Sequence, residues 1–140
     1  AVYDSNHRSV YLMVQRNRRH PYLALFDAAD PNQSVATRQP TTTPTQALYL
    51  MNSPFVHAQA RGFASRLLAL PHTPRARVRV AFEMAHGHQP DELEITNALA
   101  FVTAYQETLS DDQDNPKREL AAWSALARVL LTSNGFLYVD

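Results

Sequence analysis

Cysteine is absent from this 140-residue sequence, and glycine occurs only three times. Without cysteine the chain forms no disulfide bond, and thiolate metal sites, iron–sulfur clusters and covalently attached haem are excluded within it. Three glycines are too few for a glycine-rich phosphate-binding loop, and the Gly-x-Ser-x-Gly nucleophile motif is missing too. A catalytic arrangement assembled from distant residues stays possible, but no motif indicates one. We therefore predict no catalytic, cofactor-binding or metal-binding residues in this chain.

Long apolar runs are missing as well. Arginine or aspartate interrupts the longest ones, and none approaches the roughly 18 consecutive apolar residues that cross a bilayer, so we expect no membrane insertion. The first residues, Ala1 to Arg8, lack the apolar centre of a signal peptide, and the sequence begins without methionine. From this we expect a mature form or an excised domain. An apolar fraction of 45% and a charged fraction of 19% are typical of a globular protein with a hydrophobic core.

The formal net charge is zero, but the charges are segregated along the chain. Residues 1–79 contain ten arginines against three aspartates, whereas residues 80–140 contain three basic residues against ten acidic ones. Such asymmetry can mark a nucleic-acid-binding face, but more often the two halves contact each other or a neighbouring domain. We favour the second interpretation and expect no nucleic acid as a partner. Lys117 is the only lysine, and arginine favours bidentate, partly buried ion pairs.

Proline marks the predicted helix starts. Its missing N–H would be unpaired at the first helical position anyway, and a polar residue before it can cap the open N–H groups. Five pairs fit this pattern: Thr43-Pro44, Ser53-Pro54, Thr73-Pro74, Gln89-Pro90 and Asn115-Pro116. Thr43 and Gln46 have the spacing of a capping box, while Gly87 and Asn134-Gly135 are predicted to end helices. The predicted helices lie near 44–51, 54–70, 74–86, 90–109 and 116–133.

Apolar residues recur between these starts with helical spacing. The four stripes are Val56, Ala60, Phe63, Leu67 and Leu70; Val78, Phe82 and Ala85; Ile95, Leu99, Val102 and Leu109; and Leu120, Trp123, Ala127 and Leu130. A stripe of this kind faces the core of a helical bundle. We therefore expect Trp123 to be largely buried.

The first forty residues follow a different pattern. Residues 9–14 are rich in β-branched and aromatic side chains, which predicts a strand, and residues 136–139 form a second strand-like segment that could pair with it. Residues 21–26 are predicted as a short helix and residues 27–44 as a polar loop. The predicted fold is mainly α: a single domain over residues 1–140, with a bundle of about five helices, an irregular N-terminal segment and at most one short β pairing.

The only close pair of histidines is His86-Gly87-His88. Two imidazoles can bind a transition metal, but further ligands would have to come from another helix. Histidine and glycine are also typical of a helix C-terminus. The helix dipole favours a histidine there, and the left-handed backbone after the last turn favours a glycine. We favour this second interpretation.

The loop that begins at Asp27 has the spacing of a calcium site. Asp27, Asp30, Asn32 and Ser34 place oxygen ligands close together. The pattern lacks the glycine and the terminal glutamate of an EF-hand loop, however. Aspartate and asparagine beside proline are also ordinary turn residues that bond their own backbone, and we favour the turn interpretation here and for the shorter pattern at 112–114.

Residues 16–20 form a basic cluster, Arg16-Asn17-Arg18-Arg19-His20, between Tyr11 and Tyr22. Arginine binds phosphate and aromatic rings stack on bases, so a nucleic-acid or phosphate site is one interpretation. The sequence pI of about 7.2 is near neutral, however, and no nucleic-acid-binding motif occurs. Contact with the acidic C-terminal half or with an acidic partner explains the cluster equally well.

Several strings in this sequence also occur together in a known family. They include Arg8-Ser9-Val10-Tyr11-Leu12, Leu25-Phe26-Asp27, Asp30-Pro31-Asn32, Thr41-Thr42-Thr43-Pro44-Thr45-Gln46-Ala47-Leu48, Trp123 and Ser133-Asn134-Gly135-Phe136-Leu137-Tyr138-Val139-Asp140. The chain thereby resembles the C-terminal part of domain of unknown function 1553, a domain of planctomycete secreted proteins. One difference is visible, because these proteins usually have Gly-Arg-x-Pro where this sequence has Gly87-His88-Gln89-Pro90.

The resemblance implies an exported protein, periplasmic or extracellular, of which this chain is the C-terminal portion. It implies that the partners are upstream domains of the same polypeptide, often with a cytochrome-c-like domain that would carry any haem, so that no cofactor is expected in this chain. The family domain is longer than 140 residues, and the sequence is therefore expected to begin inside it. The resemblance supplies neither a catalytic residue nor a substrate.

We predict a non-catalytic helical accessory or interaction module that binds its own upstream domains. The alternative is part of an extracellular hydrolase acting on polysaccharide, in which Asp27 or Asp30 is the general acid or base and upstream domains complete the site. The candidate ligand or interaction residues are Arg16, Asn17, Arg18, Asp27, Asp30, Asn32 and Asn52. A deep pocket lined by Arg16, Asn17, Asp27, Asp30 and Asn52 would contradict the first hypothesis.

Overall fold

The fold is that of a computed structural model, which describes residues 5–109 and 114–138. It confirms the prediction of a mainly α protein. The helices are α1 (Pro21–Leu25), α2 (Pro44–Asn52), α3 (Pro54–Ala69), α4 (Pro74–His86), α5 (Glu92–Thr108), α6 (Asn115–Leu131) and α7 (Asn134–Leu137). A short 3-10 helix, Ser9–Tyr11, precedes them. No helix within the described ranges is both long and apolar enough to cross a membrane.

Proline begins the helices at three of the predicted positions. Pro44, Pro54 and Pro74 are the first residues of α2, α3 and α4. At α6 the helix begins one residue earlier than predicted, at Asn115, so that Pro116 stands in its first turn. All of these positions precede the first intrahelical N–H donor, so the missing proline N–H costs no hydrogen bond.

The predicted start of α5 at Pro90 is wrong, because the helix begins at Glu92. Asp91 is the N-cap instead, and its carboxylate accepts a hydrogen bond of 2.7 Å from the backbone N–H of Glu94. The Glu94 carboxylate in turn accepts one of 2.8 Å from the backbone N–H of Asp91. This reciprocal capping box satisfies two open donors, whereas the side-chain amide of Gln89 donates to the carboxylate of Glu83.

One of the two predicted helix ends is confirmed. Gly87 follows α4 with φ +75°, in the left-handed region that glycine adopts without strain. Asn134-Gly135 does not end α6, however: that helix ends at Leu131, and Asn134 begins α7. The hydroxyls of Thr132 and Ser133 donate to the carbonyls of residues 128 and 130, at 2.7 and 2.8 Å, and thereby satisfy the last turn of α6 before the glycine is reached.

The predicted strands are wrong. Ser9–Tyr11 is a 3-10 helix, and Phe136 and Leu137 belong to α7, while Val139 of the second segment lies outside the described residues. In the described part of the chain the only β pairing is one isolated bridge, between Gln15 and Arg18. The β-branched and aromatic side chains at 9–14 indicated a strand, but such a preference is expressed only where a partner strand covers the pleated surface.

The chain divides into two compact units, unit 1 (residues 1–49) and unit 2 (residues 50–140). The single domain over residues 1–140 stays a prediction from the sequence. Unit 2 contains α3 to α7, and α6 is its central element, because α3, α4, α5 and α7 all contact it.

The core of unit 2 follows the apolar stripes of the sequence. The buried members of these stripes are Val56, Ala60, Phe63, Leu67, Val78, Phe82, Ile95, Val102, Trp123, Ala127 and Leu130. The end residues of the stripes, such as Leu70 and Leu109, are only partly buried. Trp123 is 2% exposed, which confirms its predicted burial.

Ion pairs join the basic and acidic halves of the sequence within unit 2. Arg75 and Arg79 of α4 both pair with Glu92 at the start of α5. Arg77, whose side chain is 16% exposed, pairs with Glu119 of α6 at 3.3 Å. These pairs support the interpretation that the two oppositely charged halves contact each other.

Unit 1 contains α1, the loop that follows it and most of α2. The rings of Tyr22, Phe26 and Tyr49 form a cluster in which all three centroid distances lie between 5.1 and 5.7 Å. Such tilted and edge-on arrangements are the favoured geometry of aromatic pairs.

Gln46 is the only buried side chain among the described residues of unit 1. Its side-chain Oε1 accepts from the backbone N–H of Thr43, and the Thr43 hydroxyl accepts from the backbone N–H of Gln46, which confirms the predicted capping box. The side-chain Nε2 donates to the carbonyl of Leu25 at 2.9 Å. One amide therefore caps α2 and ties it to the end of α1.

Candidate functional site

Asp27 lies where α1 turns into the long loop, and its backbone has φ +58°, which is uncommon for a residue other than glycine. Its two carboxylate oxygens accept hydrogen bonds from the backbone N–H and the hydroxyl of Thr41, both at 2.7 Å. The guanidinium of Arg38 donates to the carbonyls of Phe26 and Asp27. Asp27 thus joins the two ends of the loop that runs from residue 27 to residue 41.

These contacts also fix the charge of Asp27. The hydrogen bonds from the hydroxyl and then from the backbone N–H of Thr41 lower the pKa of this carboxyl below its ordinary value of 3.8, and the positive charge of Arg38 acts in the same direction. Both donors favour the ionised form. Asp27 is therefore an ionised carboxylate at neutral pH.

Asp30 and Asn32 form a second set of contacts within the same loop. The Asp30 carboxylate accepts from the backbone N–H of Asn32 at 2.9 Å, which is an Asx turn. It also pairs with Arg19 at 3.5 Å. The side-chain amide of Asn32 donates to the carbonyl of Arg16 at 2.9 Å. The contacts with Arg19 and Arg16 tie the loop to the basic cluster of residues 16–20.

The geometry favours the turn interpretation over a calcium site. The carboxylate of Asp27 is directed to Thr41, whereas that of Asp30 is directed to Asn32 and Arg19, so the two do not converge on a common point. In the described ranges no group of three or more histidine, aspartate or glutamate side chains is placed to hold a metal ion. Asp112 of the second predicted pattern lies outside the described residues.

The remaining candidates are spread over the two units. Arg16, Asn17 and Arg18 are exposed residues of unit 1, and Arg18 takes part in the bridge with Gln15. Asn52 is the last residue of α2 and belongs to unit 2. The structure therefore brings Asp30, Asn32 and the backbone of Arg16 together, while Asp27 bonds elsewhere in the loop.

A small cavity of about 40 Å³ lies beside the basic cluster in unit 1. Its lining is Val14, Gln15, Arg18, Arg19, His20, Leu23, Ala24, Ala28, Ala29 and Pro31. A volume of this size holds a water molecule or two but no substrate, since ligand pockets measure about 300–1,000 Å³. Of the seven candidate residues, Arg18 alone lines it.

The histidine pair has a structural role. Nε2 of His86 lies 2.9 Å from the Ser133 hydroxyl and 3.2 Å from the Leu130 carbonyl, so this ring joins the end of α4 to the end of α6. The ring of His88 is tilted against that of His86, with centroids 5.7 Å apart. Nδ1 of His88 lies 3.0 Å from the carbonyl of Gln89. These contacts support the helix C-terminus interpretation.

Unit 2 carries a larger groove that the sequence interpretation missed. Its volume is about 350 Å³, and its lining is His57, Arg61, Tyr105, Ala121, Ser124, Ala125 and Arg128. The polar members come from α3, α5 and α6. His57 and Arg61, like Ser124 and Arg128, stand four residues apart, which places each pair on one helix face. This spacing is the only sequence signal of the groove.

Fold and sites together define a mainly α protein with a polar loop in unit 1 and a polar groove in unit 2. The chain belongs to the family described as Protein of unknown function (DUF1553), whose model matches residues 2–102. This confirms the predicted resemblance to domain of unknown function 1553, although Trp123 and the strings after it lie beyond the matched range. No curated protein and no solved structure matches the chain significantly.

Proposed function

We propose that this chain is a non-catalytic helical interaction module that binds the upstream domains of its own polypeptide. We also propose that the protein is exported to the periplasm or the exterior. The resemblance to planctomycete secreted proteins implies this setting, while the family match over residues 2–102 supports membership of the family alone.

The observation that carries the proposal is a group of exposed apolar side chains in unit 1, here called the apolar segment. It consists of Val10, Tyr11, Met13 and Val14, which are between 63% and 77% exposed. Four such side chains so close together expose apolar surface that a partner would remove from water. Tyrosine and methionine are also enriched in the buried centres of protein interfaces.

The carboxylates of Asp27 and Asp30 in unit 1 bond to other groups of the same unit. Both carboxylate oxygens of Asp27 accept from Thr41, and the carboxylate of Asp30 bonds to Asn32 and Arg19. A catalytic carboxylate has to reach a substrate instead. The internal use of these groups favours an interaction surface over an active site.

The alternative function, part of a polysaccharide hydrolase, has less support. A general acid needs a carboxyl whose pKa is raised toward neutrality. The Thr41 hydrogen bonds lower the pKa of Asp27 instead, which makes it a poor proton donor and a weak base. Asp30 would have to leave its turn and its ion pair with Arg19 to act on a substrate.

The test is a calorimetric titration of the 140-residue chain with the polypeptide segment that precedes it in the full-length protein. We expect saturable binding, and the double variant Tyr11→Ser/Val14→Ser should weaken it by about tenfold or more, which corresponds to about 1.4 kcal/mol. The control is Leu93→Ser in α5, a side chain of similar exposure (67%) in unit 2.

Two results would contradict the module hypothesis. One is an absence of binding between the two segments. The other is that Leu93→Ser weakens binding as much as the Tyr11→Ser/Val14→Ser double variant does, because the contact would then not depend on the apolar segment in particular. Activity of the full-length protein on polysaccharide that is lost in Asp27→Asn or Asp30→Asn would favour the hydrolase instead.

A further inference from the structure

The groove of unit 2 differs from the polar loop of unit 1 in its charge. Arg61 and Arg128 line it from opposite helices, α3 and α6, together with His57 and Tyr105. No acidic side chain belongs to the described residues of its lining. Two guanidinium groups therefore share one groove without a carboxylate between them.

The three arginines of α4 all pair with acidic side chains. Arg75 and Arg79 pair with Glu92, and Arg77 pairs with Glu119. Within residues 5–109 and 114–138, neither Arg61 nor Arg128 takes part in an ion pair. An uncompensated pair of cations beside each other is unfavourable until an anion joins them.

Arg128 is held in position by the neighbouring imidazole. Nε2 of His57 lies 3.0 Å from the carbonyl of Met51, which only accepts, so Nε2 carries the ring proton and donates it. Nη1 of Arg128 lies 3.3 Å from Nδ1 and 3.4 Å from Nε2, so the guanidinium lies against the imidazole ring rather than in line with one nitrogen. One end of the guanidinium is thereby fixed while its other N–H groups stay available. A donor positioned in advance loses less entropy when a ligand binds.

The other side chains that line the groove add one available hydroxyl and an apolar surface. The hydroxyl of Ser124 donates to the carbonyl of Leu120 at 2.6 Å, so its proton is already used. Tyr105 supplies a phenolic hydroxyl on a ring that lies against Phe101, with centroids 6.0 Å apart. Ala121 and Ala125 form an apolar part of the lining. Among the described residues, the groove donors with no hydrogen-bond partner are those of Arg61 and Tyr105 and the remaining N–H groups of Arg128.

We propose that this groove binds a small organic molecule through an oxyanion group, a phosphate, sulfate or carboxylate, held between Arg61 and Arg128. Guanidinium groups bind such oxyanions through two parallel charge-assisted hydrogen bonds. A volume of about 350 Å³ exceeds a bare anion and suits the rest of a small ligand against Tyr105 and the two alanines. The site is independent of the apolar segment of unit 1.

The experiment titrates the 140-residue chain with glucose 6-phosphate, glucose 6-sulfate, glucuronate and, as the neutral reference, glucose, at constant ionic strength. Heat and the ¹H–¹⁵N amide shifts of the groove residues are both followed. We expect saturable binding of at least one charged sugar and none of glucose, with shifts at residues 57, 61, 124 and 128. The three charged probes share one sugar, so their ranking identifies the oxyanion.

The variants Arg61→Gln and Arg128→Gln should each weaken that binding by about tenfold or more. The matched control is Arg66→Gln, because Arg66 stands on the same helix over the ring of Phe63 and does not line the groove. It should leave binding within about twofold of the unmodified chain, since a distant exposed charge is largely screened by salt.

Three results would overturn the proposal. The first is that no charged sugar binds more tightly than glucose. The second is that shifts of the amides appear away from the groove. The third is that Arg66→Gln weakens binding as much as the groove variants do. Circular dichroism establishes that each variant is folded, and the titration of the unmodified chain decides the question on its own if one of them is not.

Discussion

In unit 2 the helices bury a continuous set of apolar side chains around Trp123, whereas the only buried side chain among the described residues of unit 1 is the amide of Gln46. Unit 1 is instead held by a ring cluster and by hydrogen bonds of its own loop, above all those of Asp27 and Asn32. Each net hydrogen bond contributes about 1 kcal/mol, less than a buried large apolar side chain does.

The difference has a consequence for dynamics. A segment with few buried apolar contacts opens at a lower free energy than one with a full core. We expect the amide hydrogens of α1 and of the following loop to exchange faster than those of α3 and α6. Substitutions in the two units should therefore differ in size and in which amides they affect.

The largest effect is expected at Trp123. Trp123→Ala leaves a cavity in the core of unit 2 and should reduce the free energy of unfolding by about 3–5 kcal/mol, as measured by urea denaturation. The control is Val129→Ala on the same helix, whose side chain is 52% exposed. A loss of under ~1 kcal/mol at Trp123 would mean that this face of α6 does not carry the core.

A smaller effect is expected at Gln46 in unit 1. Gln46→Ala removes the hydrogen bond to the Leu25 carbonyl and half of the capping box of α2. We expect a loss of about 1–2 kcal/mol in the protection of the unit 1 amides against hydrogen exchange, with those of unit 2 unchanged. Gln33→Ala in the same unit is the control, because this side chain is exposed. Equal changes in both variants would contradict the role given to Gln46.

Two glycines of unit 2 should respond with opposite sign. Gly87→Ala places a Cβ at φ +75° and should cost about 1 kcal/mol of unfolding free energy. Gly62→Ala, inside α3, adds a Cβ that meets nothing within 4 Å apart from the backbone of its own helix and its chain neighbours, and should gain about 0.5–1 kcal/mol. Thermal unfolding of both variants checks this. A lower free energy of unfolding in Gly62→Ala would mean that this face of α3 packs against another part of the protein.

The smallest effect is a pH dependence in unit 1. The folded state lowers the pKa of Asp27 below 3.8, so this carboxylate stabilises unit 1 above its unfolded pKa, and the contribution is lost as the pH falls through the folded pKa. Thr41→Val removes the hydroxyl hydrogen bond that lowers the pKa of Asp27 most. In this variant, hydrogen-exchange protection of unit 1 should therefore fall less between about pH 5 and pH 2 than in the unmodified chain. Thr45→Val, at an exposed position of α2, should leave the profile unchanged.

Much of unit 2 could be predicted because its signals are local. The spacing of Phe63, Leu67, Trp123 and Leu130 fixes which faces are buried, and a proline or a left-handed glycine marks a helix end within a residue or two. The start of α5 was missed because Pro90 and Asp91 are both good start signals, and only the reciprocal bond with Glu94 decides between them.

The groove and the end segments could not be predicted because their causes lie far apart in the sequence. His57 and Arg128 meet only because α3 packs against α6, and the spacing within each helix does not reveal which helices are neighbours. Likewise the β-branched residues near Val10 indicate a strand only if another strand is present to pair with it. The pattern of the loop marks Asp27 as a candidate residue, but its partner Thr41 is fourteen residues away and carries no sequence signal of the contact.

The ion pairs between α4 and the helices that follow it also bear on how the chain reaches its fold. A block of arginines followed by a block of carboxylates is a segregated polyampholyte, and its two ends attract each other even in the denatured ensemble. The attraction of Arg75 and Arg77 for Glu92 and Glu119 acts across an unfolded chain in the same direction as in the folded one. Salt screens this attraction, so the refolding rate of unit 2 should fall as ionic strength rises.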